Sequence, residues 1–221
     1  MLTERYKSAM QFAATVHDGH KRKGTEIAYL SHLMSVSALV IENGGNETEA
    51  IAALLHDAIE DQGNQYMSQF LVEPREGREA LKRDIEFLFG PEVLDIVRHC
   101  TDDEYLPGGH AAQKGTPEEW EKRKKEYLGH LARQEHRGAL RVSCADKLHN
   151  ARAILADYEV EGDRLWRRFT AGTKTMQLWY YGELARHFTE RAEALEDAGL
   201  KRMARQLTKV VQAIRDHDAG T

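Results

Sequence analysis

The chain has 221 residues, 41% of them hydrophobic and 30% charged, with a formal net charge of −5. That length and balance describe a globular domain with a good core, and the acidic excess argues against a general nucleic-acid binder while leaving a small anionic ligand open. No apolar run approaches the roughly 20 residues of a membrane crossing, and Met1-Leu2-Thr3-Glu4-Arg5-Tyr6-Lys7 is no signal peptide.

Apolar residues recur at intervals of three and four. Phe12 and Val16, then Leu33, Val36 and Val40, then Ile51, Leu54, Leu55 and Ala58 mark the first helices. Gly44-Gly45-Asn46 ends one helix and offers a cap to the next. Leu81, Ile85 and Leu88 are followed by Val93, Ile96 and Val97, with Gly90-Pro91 closing one helix and opening another with proline in its first turn. The longest irregular stretch runs from Asp102 to Thr116, and a functional loop and a surface excursion explain it equally well. The basic run Lys122-Arg123-Lys124-Lys125 begins a charged helix, read more cheaply as a solvated face than as a phosphate site. Trp120, Tyr127, Leu128 and Leu131 continue the pattern, then Leu140, Cys144 and Leu148. A closing helix from about residue 192 to His217 carries Leu200, Met203, Leu207, Val210 and Ile214, with Asp218 to Thr221 frayed. The reading is all-α: one compact helical bundle in a single domain over residues 1–221. Cys100 and Cys144 have no metal-type spacing, and a reduced cytoplasmic setting is the default.

The chemistry concentrates where the apolar run Ala50 to Leu55 ends in His56-Asp57, with Glu60-Asp61 one turn on. A continuing helix places His56 beside Glu60 and Asp57 beside Asp61. An imidazole and three carboxylates at the end of a buried helix are costly unless a cation or a substrate proton compensates them. His32 opens another apolar stretch, and Asp146 and Asn150 lie four apart on a mostly apolar helix. Two histidines and two aspartates form a mixed nitrogen and oxygen set for a first-row divalent metal.

The order H…HD…D resembles the HD-domain metal-dependent phosphohydrolases. The resemblance narrows over His17-Asp18-Gly19, Arg22-Lys23-Gly24-Thr25, Tyr29-Leu30-Ser31-His32, Ala52 to Asp57, Glu60-Asp61, Thr101-Asp102-Asp103 and Ala145 to Arg152. These stretches look like the hydrolase half of RelA/SpoT enzymes, and the chain length resembles the stand-alone small alarmone hydrolases. The resemblance implies an HD-domain helical bundle with one divalent metal, most often Mn²⁺, held by His32, His56, Asp57 and Asp146. It implies Glu60 and Asp61 as catalytic residues that orient and deprotonate water. It implies Arg22, Lys23, Asn150 and Trp179 at a guanine nucleotide alarmone, with Tyr180 the next choice to Trp179. The implied reaction removes pyrophosphate from the 3′ position of ppGpp or pppGpp, giving GDP or GTP, in a cytoplasmic enzyme without a synthetase half, membrane anchor or nucleic-acid partner. A phosphatase acting on another nucleotide such as NADPH and a non-catalytic nucleotide-binding module are the alternatives. His17, His99, His149 and the other histidines take an ordinary structural reading. Ala28 and His20 depart from the family pattern, where proline and glutamine are common.

Overall fold

Thr3 accepts the Arg5 N–H and starts α1 (Glu4–Val16), and Asn46 and Glu49 form a reciprocal capping box at the start of α3 (Glu47–Leu55). In the computed structural model, which describes residues 1–67, 74–101, 116–169 and 173–219, the helices gather into two compact units, Met1–Ala111 and Ala112–Thr221. The first unit also holds α2 (Leu30–Glu42), α4 (Pro74–Phe89) and α5 (Pro91–Cys100). Ala50 to Leu55 are all buried, so α3 is apolar on every side and packs against α1, α2 and α5. The turn into α3 needs both of its glycines. Gly44 has φ +83°, and a Cβ on Gly45 would meet Val40 Cγ1 at 2.4 Å. Gly90 likewise has φ +88° before Pro91 opens α5.

The second unit holds α6 (Pro117–Leu131), α7 (Arg137–Glu161), a 3₁₀ segment (Gly162–Arg168), α8 (Lys174–Ala194) and α9 (Ala198–Ala219). α9 packs on α7 and α8 with Leu200, Met203, Leu207 and Ile214 buried. Asp197 fixes its start: one carboxylate oxygen accepts the Leu200 N–H at 2.9 Å and the other accepts Arg141 Nε at 2.9 Å.

Three boundaries differ from the sequence expectation. The closing helix begins at Ala198, because α8 runs on to Ala194 and Glu196 turns the chain with φ +52°. It also continues through Ala219 rather than fraying from Asp218. Lys122 to Lys125 lie inside α6, which starts earlier at a capping box between Thr116 and Glu119 with proline at its first position. The irregular stretch expected over 102–116 lies outside the described residues except for Thr116, as do Gly220 and Thr221. Among the described residues there is no strand, only an isolated bridge between Lys21 and Ala28, and no helix is long and apolar enough to cross a membrane.

Candidate metal centre

The chain leaves the α-helix at the residues the sequence singled out. α3 ends at Leu55, His56 is its C-cap, and Ala58–Gln62 form a wider turn of the π type. The expected uninterrupted helix through Asp61 is therefore corrected. His56 Nδ1 binds the Ala53 carbonyl at 2.8 Å, an acceptor that a continuing α-helix uses for the N–H of residue 57. π-turns inside helical segments occur often at functional sites, because they re-aim side chains. Asp61 N–H still reaches the Asp57 carbonyl at 2.9 Å, so the four-residue relation between these two aspartates survives.

Two histidines from different helices meet at Asp57. His32, on the first turn of α2, and His56 are 1% and 2% exposed, with ring centroids 5.3 Å apart. Their Nε2 atoms lie 3.7 and 3.0 Å from Asp57 Oδ2. Because the Ala53 carbonyl accepts a proton from His56 Nδ1, Nε2 carries a lone pair toward a carboxylate oxygen. Two such acceptors at 3.0 Å suit a shared cation, since neighbouring ligands with bonds of about 2.1 Å are about 3.0–3.4 Å apart. The carbonyl also fixes the tautomer and angle of the ring, as hydrogen bonds to metal-binding histidines do. One ligand atom each from His32, His56 and Asp57 falls within 4.8 Å of the others.

A reversal of the chain before α2 adds three residues that the sequence reading did not assign to the site. Arg22 N–H binds the Ile27 carbonyl at 2.9 Å and Tyr29 N–H binds the His20 carbonyl at 2.8 Å, closing a short loop with Gly24 at φ +73°. Arg22 is half-buried and Lys23 exposed at the end of this loop, which confirms a compact basic turn. Closure stacks the Tyr29 ring on His20 at 4.1 Å and near-parallel to His17 at 5.4 Å. Tyr29 Oη donates to Asp57 Oδ2 at 2.5 Å. His17 Nδ1 lies 3.1 Å from His20 Nδ1, and these two histidines with Asp61 form a second group whose ligand atoms lie within 4.8 Å of one another. Tyr29 was visible only as a neighbour of His32, and nothing in the spacing of His17 and His20 signals that the loop folds back.

The electrostatics follow from this crowding. Burial pushes the Asp61 carboxyl up to about 7, with the charge of Asp57 adding to the rise, while the nearby histidines and the Tyr29 hydroxyl oppose it. Burial lowers His17 to about 4 against a partial pull from Asp57, and it lowers His20 as well. Glu60 sits exposed on the same turn, whereas Asp61 is partly buried.

Asp146 and Asn150 belong to the second unit, on α7. The expected shared face is present: Asn150 Nδ2 donates to Asp146 Oδ1 at 2.5 Å, and Lys147 Nζ donates to Oδ2 at 2.7 Å. Asp146 is buried, and the Lys147 ammonium also lies 5.6 Å from the Tyr127 ring centroid. Cys144 is fully buried, and burial together with Asp146 and Asp197 pushes its thiol well above the ordinary range. Trp179 is half-buried on α8, next to a buried Tyr180 packed edge-on against Trp120.

A family model described as HD domain matches residues 9–179. The chain belongs to the HD domain family. That membership implies a divalent metal, and the lone-pair geometry at His32, His56 and Asp57 fits one. This HD-domain chain is 30% identical over 153 residues to the guanosine-3′,5′-bis(diphosphate) 3′-pyrophosphohydrolase MESH1 of Drosophila melanogaster, covering 68% of this chain and 69% of that one. It is 31% identical over 149 residues to the MESH1 of Xenopus tropicalis, covering 66% and 67%. A GTP pyrophosphokinase of Streptomyces coelicolor is 30% identical over 146 residues, which make up 66% of this chain but 14% of that one. The solved structure of a metazoan ortholog of SpoT that hydrolyses ppGpp superposes with a TM-score of 0.62 at 23% identity, over 95% of this chain and 96% of that one. At that identity the likeness is one of fold.

Proposed function

We propose that this HD-domain protein is a metal-dependent phosphohydrolase that removes pyrophosphate from the 3′ position of ppGpp and pppGpp, yielding GDP and GTP. The observation that carries the reading is the His32–His56–Asp57 group, with both imidazoles buried and Asp61 one turn beyond it. The similarity to MESH1 over two thirds of both chains supports the choice of substrate. The family match over residues 9–179 runs through both units, which supports reading the chain as a single hydrolase domain.

His32, His56 and Asp57 would hold the cation, and the resemblance implies Asp146 as a fourth ligand. A divalent ion bound there, Mn²⁺ by the same resemblance, would supply Lewis-acid polarisation of a phosphoryl oxygen and acidify a bound water. Asp61, partly buried one turn beyond Asp57, takes the proton of the attacking water. Glu60, exposed on the same turn, orients that water. The water oxygen attacks the phosphorus bonded to the ribose 3′ oxygen, the P–O bond to the ribose breaks, and the 3′ oxygen takes up a proton. Arg22 stacks its planar guanidinium on the guanine, Lys23 meets phosphate as a point charge, and Asn150 and Trp179 are further nucleotide contacts. A cytoplasmic setting accords with this substrate.

The test is turnover of ppGpp, pppGpp and NADPH by one Mn²⁺-loaded preparation, with products separated by ion-exchange chromatography. GDP or GTP with one equivalent of pyrophosphate is expected. Consumption of NADPH alone, or binding of ppGpp without turnover across Mn²⁺, Co²⁺, Zn²⁺ and Fe²⁺, would overturn the proposal.

A further inference from the structure

The loop closed by Tyr29 builds a second constellation beside the first, and its residues have chemistry that the proposed reaction leaves unused. His17 is 3% exposed at the end of α1, His20 stands three residues on, and Asp61 arrives from the turn after α3. The two imidazoles face each other through Nδ1 at 3.1 Å. Two nitrogens at that spacing match neighbouring ligands of one ion with bonds of about 2.1 Å, as at His56 and Asp57.

Hydrogen bonding within the pair does not complete its chemistry. If His17 donates from Nδ1, its Nε2 keeps a buried lone pair; if His20 donates, His17 Nε2 keeps a buried proton. His17 Nε2 is buried without a hydrogen-bond partner, so either arrangement leaves that atom unsatisfied. Around the pair, the Asp57 and Asp61 carboxylates stand close enough to disfavour each other's charge. Two imidazole nitrogens and a carboxylate oxygen are a ligand set for a borderline first-row divalent ion with positions left for water. The three near-parallel rings of His17, His20 and Tyr29 hold the loop in register with the turn.

We propose that His17, His20 and Asp61 bind a second divalent cation, separate from the one held by His32, His56 and Asp57. The Tyr29 hydroxyl donates to Asp57 Oδ2 while its ring stacks on His20, which ties the two groups together. The second cation thus shares Asp61 with the reaction. This deepens the proposed function, because it rests on Asp61 acting at the water; the counting of ions does not depend on turnover.

The experiment is metal stoichiometry on the full chain. Protein stripped with chelator is equilibrated with Mn²⁺, Co²⁺ or Zn²⁺, freed of excess ion by gel filtration and analysed by mass spectrometry. Two ions per wild-type chain are expected, falling to one in His20→Gln and in His17→Gln. His56→Ala is expected to retain one ion that His56→Ala/His20→Gln lacks. In the Mn²⁺-loaded wild type, electron paramagnetic resonance is expected to show coupling between the ions that is absent from His20→Gln. One ion per wild-type chain with every metal, or two ions undiminished in both His17→Gln and His20→Gln, would overturn the proposal. Circular dichroism on each variant confirms that helix content is retained, and the spectroscopic arm uses the wild type, which removes dependence on any single substitution. If two ions bind while ppGpp survives intact, the proposed substrate fails and the second site stands.

Discussion

His17 and Asp61 oppose each other as the pH falls, and the opposition can be taken apart by mutation. Burial holds His17 at about 4 in the folded protein against an ordinary value of 6.5. Its contribution to stability is therefore fully present above pH 6.5 and is lost as the pH falls toward 4, because the unfolded chain takes up the proton first. Between pH 7 and pH 5 the loss is about 2 kcal/mol. Asp61 works the other way. Its folded value of about 7 lies above an ordinary value of 3.8, so the fold favours the protonated acid and gains about 2 kcal/mol over the same interval. In the wild type the two effects oppose each other. Urea unfolding followed by far-UV circular dichroism, with chelator present at pH 7 and pH 5, separates them. The pH dependence of the wild type should fall between those of the two variants. His17→Gln should be more stable at pH 5 than at pH 7 by about 2 kcal/mol, and Asp61→Asn less stable by a similar amount. Parallel pH dependence in all three proteins would refute the reasoning, since neither group would then differ between folded and unfolded states.

Three further outcomes follow from the same geometry. His56→Ala should lose the ion held with His32 and Asp57 and lose ppGpp turnover with it, while Glu60→Ala should keep that ion and lose about 10²–10⁴ in kcat, read by metal analysis beside steady-state kinetics. Leu54→Ala opens space at the fully buried centre of α3 and should cost about 2–5 kcal/mol of unfolding free energy by urea titration, with the ion count unchanged in the protein that remains folded. Cys144, buried with a raised thiol pKa, should react with a thiol reagent only on unfolding, whereas half-buried Cys100 should react in the native protein; native labelling of Cys144 would contradict its burial.

Much of the fold was legible because local signals are strong in this chain. Asn46 as a cap and Gly90 with Pro91 mark helix ends through local chemistry, and both act as expected. The boundaries that moved depended on neighbours distant in sequence or on several caps at once. Asp197 starts α9 partly through Arg141, 56 residues away, so periodicity alone set that helix too early. The Asp146–Asn150 pair was readable because residues four apart on a helix share a face whatever the tertiary context.

The amino-acid order by itself determined that helices form, that the run Ala50 to Leu55 suits a core, and that His32, His56, Asp57 and Asp146 are candidates for one ion, because periodicity and ligand chemistry are local properties. Tertiary structure decided three things. It ended the α-helix at His56 and opened a wider turn, it closed the loop that lays Tyr29 against His20 and Asp57, and it thereby set His17 and His20 beside Asp61. The last two relations come from chain reversal and burial, which bring groups more than 40 residues apart into one low-dielectric space and have no signature in the spacing of the residues involved.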